Sequence, residues 1–119
     1  MRNFYKFKFY INARHSVEFN NIRSNIHPHT WETVVHIEVN SEDFINFTSF
    51  EKVLEKYFDK YEGKYFNDIP HFQDINPTME NIGKKVFIDL EEMLSKSDLR
   101  LVRLEISENP TRTYIIDDR

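Results

Sequence analysis

His27 and His29 flank Pro28. In an extended segment residues two apart project from one face, so both imidazoles can reach a single metal ion. The spacing permits a zinc site. Taken alone the pair is a weak sign, because histidines also stand at strand ends as surface or polar-core residues. His15 adds to it: it closes an earlier stretch of alternating apolar residues just across the intervening loop. Antiparallel pairing of the two stretches can bring it beside the others, setting three neutral nitrogens on one ion. Three histidine ligands leave a fourth position open, the pattern of a working zinc that polarises a hydroxyl or carbonyl or acidifies bound water. His36 falls on the alternate face of its stretch, where a satisfied or exposed histidine is expected, and His71 is a minor candidate.

What is missing narrows the chemistry further. The 119 residues include no cysteine, which removes disulfides, thiolate metal ligands, iron–sulfur clusters and thiol nucleophiles together. With 11 Phe, 6 Tyr and 1 Trp the chain has bulky material for a core, and a domain of this size can bury roughly two-thirds of the surface its unfolded chain exposes. A formal net charge of −4 offers no basic excess for a phosphate backbone, so general nucleic-acid binding is not expected. No window approaches the roughly 18 apolar residues that span a bilayer, so no membrane association and a soluble, cytoplasmic protein are expected. Only 2 Gly and 4 Pro, with no repeat or low-complexity tract, predict a single domain over residues 1–119.

The elements that must position the histidines follow from hydrophobic period. Phe4 to Ala13 places Phe7, Phe9 and Ile11 on one face and Lys6 and Lys8 on the other, a strand. After a polar stretch from Ser16 to Ile26, a second strand over Thr30 to Asn40 alternates Trp31, Thr33, Val35, Ile37 and Val39 with more polar positions. Between Phe50 and Tyr61 the apolar spacing becomes helical. Asn76 and Pro77 read as a cap and first-turn proline for a second helix running to about Lys96. Leu99 to Ser107 and Arg112 to Asp117 are strands joined by a turn at Glu108, Asn109, Pro110 and Thr111. The order β-β-α-α-β-β predicts an α+β fold: one four-stranded antiparallel sheet with both helices on one face.

With those elements in place the sequence resembles the 6-pyruvoyltetrahydropterin synthase and 6-carboxytetrahydropterin synthase family. The likeness runs through FYINARHS, HPHTWE at the place of the family's HGHN-type motif, YFNDIPHFQDINPTMENIG and ISENPTRTY. It implies the tunnelling fold, a zinc ion on His15, His27 and His29, and a pterin ring anchored by Glu108. A buried carboxylate there can accept two parallel N–H bonds from an aminopyrimidine edge. Thr78 matches a threonine lining the pterin pocket, although helix capping would equally occupy that segment. The resemblance also implies a homo-oligomer, a hexamer built from two trimers with pockets between subunits, and a substrate of the 7,8-dihydroneopterin triphosphate type.

The departures concern acid–base chemistry. Relatives place a catalytic cysteine in the loop before the HxH pair, where this chain reads NNIRSNI, and some use a glutamate beside that pair, where Ile26 stands. Of the family's Asp-His pair the carboxylate survives as Glu62, while Gly63 takes the place of the histidine. Glu62 is therefore the candidate catalytic base, with Glu18, Ser24 and His71 as other stand-ins. Three expectations result: a zinc-dependent lyase-like enzyme with diverged chemistry, a non-catalytic pterin- or metal-binding assembly protein, or a small α+β domain whose histidines bind nothing.

Overall fold

The computed structural model describes residues 1–39, 46–97 and 99–119. Strand β1 (Phe4–His15) pairs antiparallel with β4 (His27–Val39), which pairs with β5 (Leu99–Asn109), which pairs with β6 (Arg112–Asp117). These four form one sheet in the order β1-β4-β5-β6. Helices α1 (Phe47–Asp59) and α2 (Met79–Ser95) lie on the same side of it, α1 against β1 and α2 against β5 and β6. The expected α+β order therefore holds. The second strand's predicted end, Asn40, lies outside the described residues.

Alternation builds the core. Phe7, Ile11 and Ala13 from β1 meet Trp31, Val35 and Ile37 from β4 and Leu101, Leu104 and Ile106 from β5. Leu54 and Phe58 of α1 and Ile82, Val86, Leu90 and Leu94 of α2 close over them. The opposite face carries polar contacts, among them the hydrogen bond of His36 Nε2 with Glu105 at 2.6 Å and the ion pair of Arg2 with Glu38 at 2.6 Å. His36 is thus a satisfied histidine on the outer face, as its position in the alternation implies. A bulge at Val102 shifts the β4–β5 register between His36 and Ile37.

Several boundaries differ from the sequence reading, each for a local reason. Helix α1 begins three residues early because Asn46 caps it, its side chain accepting the Ser49 N–H. The cap of α2 is Thr78, whose Oγ1 accepts the Asn81 N–H at 3.1 Å, and not Asn76. Asn76 is engaged elsewhere: its side chain accepts from the Glu18 N–H and donates to the Glu18 carbonyl. The last turn shrinks to Pro110 and Thr111, so Glu108 is a strand residue. The stretch read as merely polar folds into a small hairpin of β2 (Glu18–Phe19) and β3 (Ile22–Arg23), turning through Asn20 and Asn21 at φ 53° and 65°. Asparagine is the non-glycine residue best suited to that conformation.

Gly83 marks the closest approach of α2 to the sheet. A Cβ there would lie 3.0 Å from Ile106 Cγ2 and 3.3 Å from Tyr114 Cδ2. Gly83→Ala would gain about 1 kcal/mol of helix propensity, but overpacking a filled core costs about 1–3 kcal/mol. The variant should unfold at lower urea concentration than the parent, with an unchanged slope; a higher midpoint would show that the helix can move away freely.

Candidate metal and ligand site

The β1–β4 register sets His15 directly across from His27 and Ala13 across from His29. Residues 15, 27 and 29 thereby reach one end of the sheet on its helix side. His15 is buried at 5% exposure, and its Nδ1 lies 2.8 Å from the Pro77 carbonyl oxygen. A carbonyl only accepts, so this hydrogen bond holds the proton on Nδ1 and leaves Nε2 free. Trp31 packs edge-on against both His15 and His29, with centroids 4.9 and 5.4 Å away. Its Nε1–H donates to the Ala13 carbonyl, tying the packing to the register.

Glu108, at the end of β5, completes the cluster. Its Oε2 lies 3.2 Å from Nε2 of His15 and 3.5 Å from Nε2 of His29. His15, His29 and Glu108 each offer a ligand atom, all within 4.8 Å of one another. His27 stands beside them, its ring nearly parallel to that of His29 at 6.2 Å and 6.4 Å from that of His15. Burial holds His29 below the ordinary imidazole value; Glu108 pulls the other way, and His15 and His27 add to the lowering. A neutral imidazole is the ligand form a metal requires.

The donor set fits a metal. With Zn–N bonds of about 2.0–2.1 Å, tetrahedral geometry places imidazole centroids about 5.2 Å apart. His15 and His29 stand at 5.0 Å. The exposed His27 lies outside the convergent group, its ring centroid about 1 Å beyond that spacing.

A cavity of about 440 Å³ opens over this cluster, lined by His15, His27, His29, Thr78, Glu80, Glu108 and Arg112 among others. Its size falls in the range of small-molecule sites. The structure thus brings five of the sequence-predicted residues, His15, His27, His29, Glu108 and Thr78, to one cavity. Glu62 is not among its lining residues. It accepts the Asn12 N–H on Oε2 at 2.8 Å and the Asn12 side-chain N–H on Oε1 at 3.0 Å. Those bonds, the backbone one foremost, hold its carboxyl below the usual range. Ser24 is equally engaged, accepting the Val17 N–H and donating to the Asn25 carbonyl. His71 lines a separate cavity with Lys60, Tyr61 and Lys85.

Two contributors escape sequence reading. The Pro77 carbonyl that fixes His15 carries no side-chain signal. Arg112, the first residue after the two-residue turn, lines the cavity as well.

These features define an α+β protein of the tunnelling fold with a histidine–carboxylate cluster at its strand ends. The sequence model of the family described as 6-pyruvoyl tetrahydropterin synthase matches residues 5–119, and the chain belongs to that family. Its structure is similar to that of Caenorhabditis elegans 6-pyruvoyl tetrahydropterin synthase, with a TM-score of 0.83 at 17% identity over 100% of this chain and 97% of that one. The Plasmodium falciparum 6-pyruvoyl tetrahydropterin synthase gives 0.73 at 16% identity, over 97% and 96%. An uncharacterized Wolinella succinogenes protein, WS1659, gives 0.80 at 13% identity, over 100% and 99%. No curated protein sequence matches the chain. No helix among the described residues is long and apolar enough to cross a membrane.

The clamp on Glu62 generates a pH dependence. A carboxyl lowered in the folded state contributes stability that is fully present above its unfolded value of about 4.3 and is lost as pH falls through the folded one. Glu62→Gln should therefore flatten the acid limb of urea stability measured between pH 7 and 3. An unchanged limb would show that Asn12 does not hold the carboxylate.

Proposed function

We propose that this protein is a zinc-binding member of its family that binds a reduced pterin of the 7,8-dihydroneopterin triphosphate type, with chemistry diverged from both named synthases. The observation that carries the reading is the gathering of His15, His27, His29, Glu108 and Thr78 at one cavity. Zinc held by the three histidines supplies Lewis acidity toward a hydroxyl or carbonyl oxygen of the ligand. The Glu108 carboxylate is suited to accept paired N–H groups of the aminopyrimidine edge. Thr78 contributes to the wall while its hydroxyl oxygen caps α2. The protein would work in the cytoplasm, as one domain per chain.

Proton transfer is where the reading departs from the family's ordinary activity. Removing a proton next to a carbonyl calls for a positioned base, typically a factor of about 100 to 10,000 in rate. The chain has no thiol, Gly63 carries no side chain, and Glu62 is spent on Asn12. Within its own chain Glu62 braces a strand end; as a base it would have to serve a cavity shared with a neighbouring subunit. The same occupied Glu62 favours a second reading, a pterin- or metal-binding assembly protein without turnover.

Association into a homo-oligomer, with a hexamer as the expected form, is supported by the sheet's edges. The Asn12 backbone turns outward to Glu62 and Gly63. By the period of two, Phe4, Lys6, Lys8 and Tyr10 also present their backbone away from β4, and no strand among the described residues pairs there.

Metal analysis should find about one zinc per chain, largely lost in His27→Ala and His29→Ala; full occupancy in either variant would refute the ligand set. Zinc-loaded protein should bind a reduced pterin in calorimetry, yet turn over 7,8-dihydroneopterin triphosphate at least about 100-fold more slowly than a thiol-containing relative. Comparable rates would mean that another side chain has become the base. Sedimentation should show an oligomer at micromolar concentration, and a stable monomer would overturn the edge-to-edge assembly.

A further inference from the structure

We propose that Glu108 is itself a metal ligand of the ligand-free site, joining His15 and His29 around the ion that the preceding reading places there. The inference rests on that reading, and on an acceptor facing an acceptor. His15 donates from Nδ1 to Pro77, so its neutral form presents the Nε2 lone pair to Glu108 Oε2 at 3.2 Å. His29 brings a second nitrogen to the same oxygen at 3.5 Å. No Lys or Arg side chain pairs with this carboxylate among the described residues, and its side chain is only 17% exposed. At His15 two lone pairs face each other at 3.2 Å and repel unless a positive charge lies between them.

A proton or a metal ion can supply that charge, and an ion accounts for all three atoms at once. A proton bonds one donor to one acceptor and leaves the third atom out. An ion draws all of its ligands to a common distance. In tetrahedral zinc sites with bonds of about 2.0–2.2 Å, neighbouring N and O ligand atoms stand about 3.3 Å apart. The observed separations of 3.2 and 3.5 Å bracket that edge. The position of Glu108 at the end of β5, two-residue turn included, therefore delivers a carboxylate to the place the three histidines would leave open. Its two tasks, ligand of the resting metal and acceptor for a pterin, then draw on one carboxylate, so a bound pterin competes with the ion for it.

The test is zinc affinity of the full chain without pterin, measured by competition with a chromophoric chelator for the parent, Glu108→Gln and Glu108→Asp. A lost ligand should cost no less than the about 10- to 100-fold typical of an outer partner. Glu108→Gln should lose at least that much, Glu108→Asp should fall between, and cobalt-loaded Glu108→Gln should show altered visible bands. Zinc affinity and cobalt bands within twofold of the parent would overturn the inference. If pterin affinity still dropped in that variant, Glu108 would be an anchor alone and the proposed function would stand. A parent that binds no zinc would instead refute both. Should Glu108→Gln fail to fold by circular dichroism, the aspartate variant decides: parent-like zinc affinity and cobalt bands overturn the inference, and weakened binding supports it.

Discussion

Everything at the site depends on the register between β1 and β4. Side chains alternate faces with a period of two, so a slip of one residue would turn His15 away from the cavity and expose Ile11 and Ala13. The register is held from the core side. Trp31 has no exposed surface and donates to the Ala13 carbonyl, and buried Thr33 donates to the Phe9 carbonyl at 3.2 Å. Shifting the strand would break both bonds and unpack the indole. Placement of the histidines is therefore set by the core packing that runs up to their own rings.

The second support comes from the segments that cross the strand ends. Asn67 accepts the Ser16 N–H and donates to the Ser16 carbonyl, and Asn76 makes the same paired contact with Glu18. These two amides do the work of a strand where no strand runs. They fix the chain beyond His15 so that Pro77 meets its Nδ1 and the first turn of α2 borders the cavity. An asparagine amide suits this task because it offers a donor and an acceptor side by side, like a peptide group.

How far this could be read from the sequence follows from the range of each interaction. The period of two in Phe4 to Ala13 and the helical spacing of Ile82, Val86 and Leu90 are local, so strands and helices were legible with their order. Facing histidines were legible too, since they need only pairing and alternation. The α2 cap was misplaced because Asn76 satisfies the local signature equally well, and only its contact with Glu18 explains why Thr78 takes the role. Glu108 reads as a turn residue from its neighbours Asn109 and Pro110; pairing of Asn109 with Arg112 extends β5 past it. Its approach to two imidazoles depends on three strands at once and has no trace in any one of them.

The histidine end of the sheet and the turn around Gly63 differ in what the fold asks of them. His15 and His29 project from strands that supply much of the core, and Trp31 packs on both rings, so their placement is bound up with folding. Glu62 and Gly63 belong to the turn after α1. There the backbone has its own demands. Gly63 sits at φ 72° and donates to the Asn12 carbonyl at 2.7 Å, a conformation that costs an L-residue roughly 1–2 kcal/mol. A Cβ at that position would meet nothing within 4 Å, so the strain would come from the backbone alone. In this chain the turn favours glycine, and Glu62 beside it serves the strand end. Replacing Gly63 would strain the turn, whereas replacing His15 or His29 would disturb the packing around Trp31. The histidines are thus held by the packing that also holds the β1–β4 register, while the turn at residue 63 is held by its own backbone.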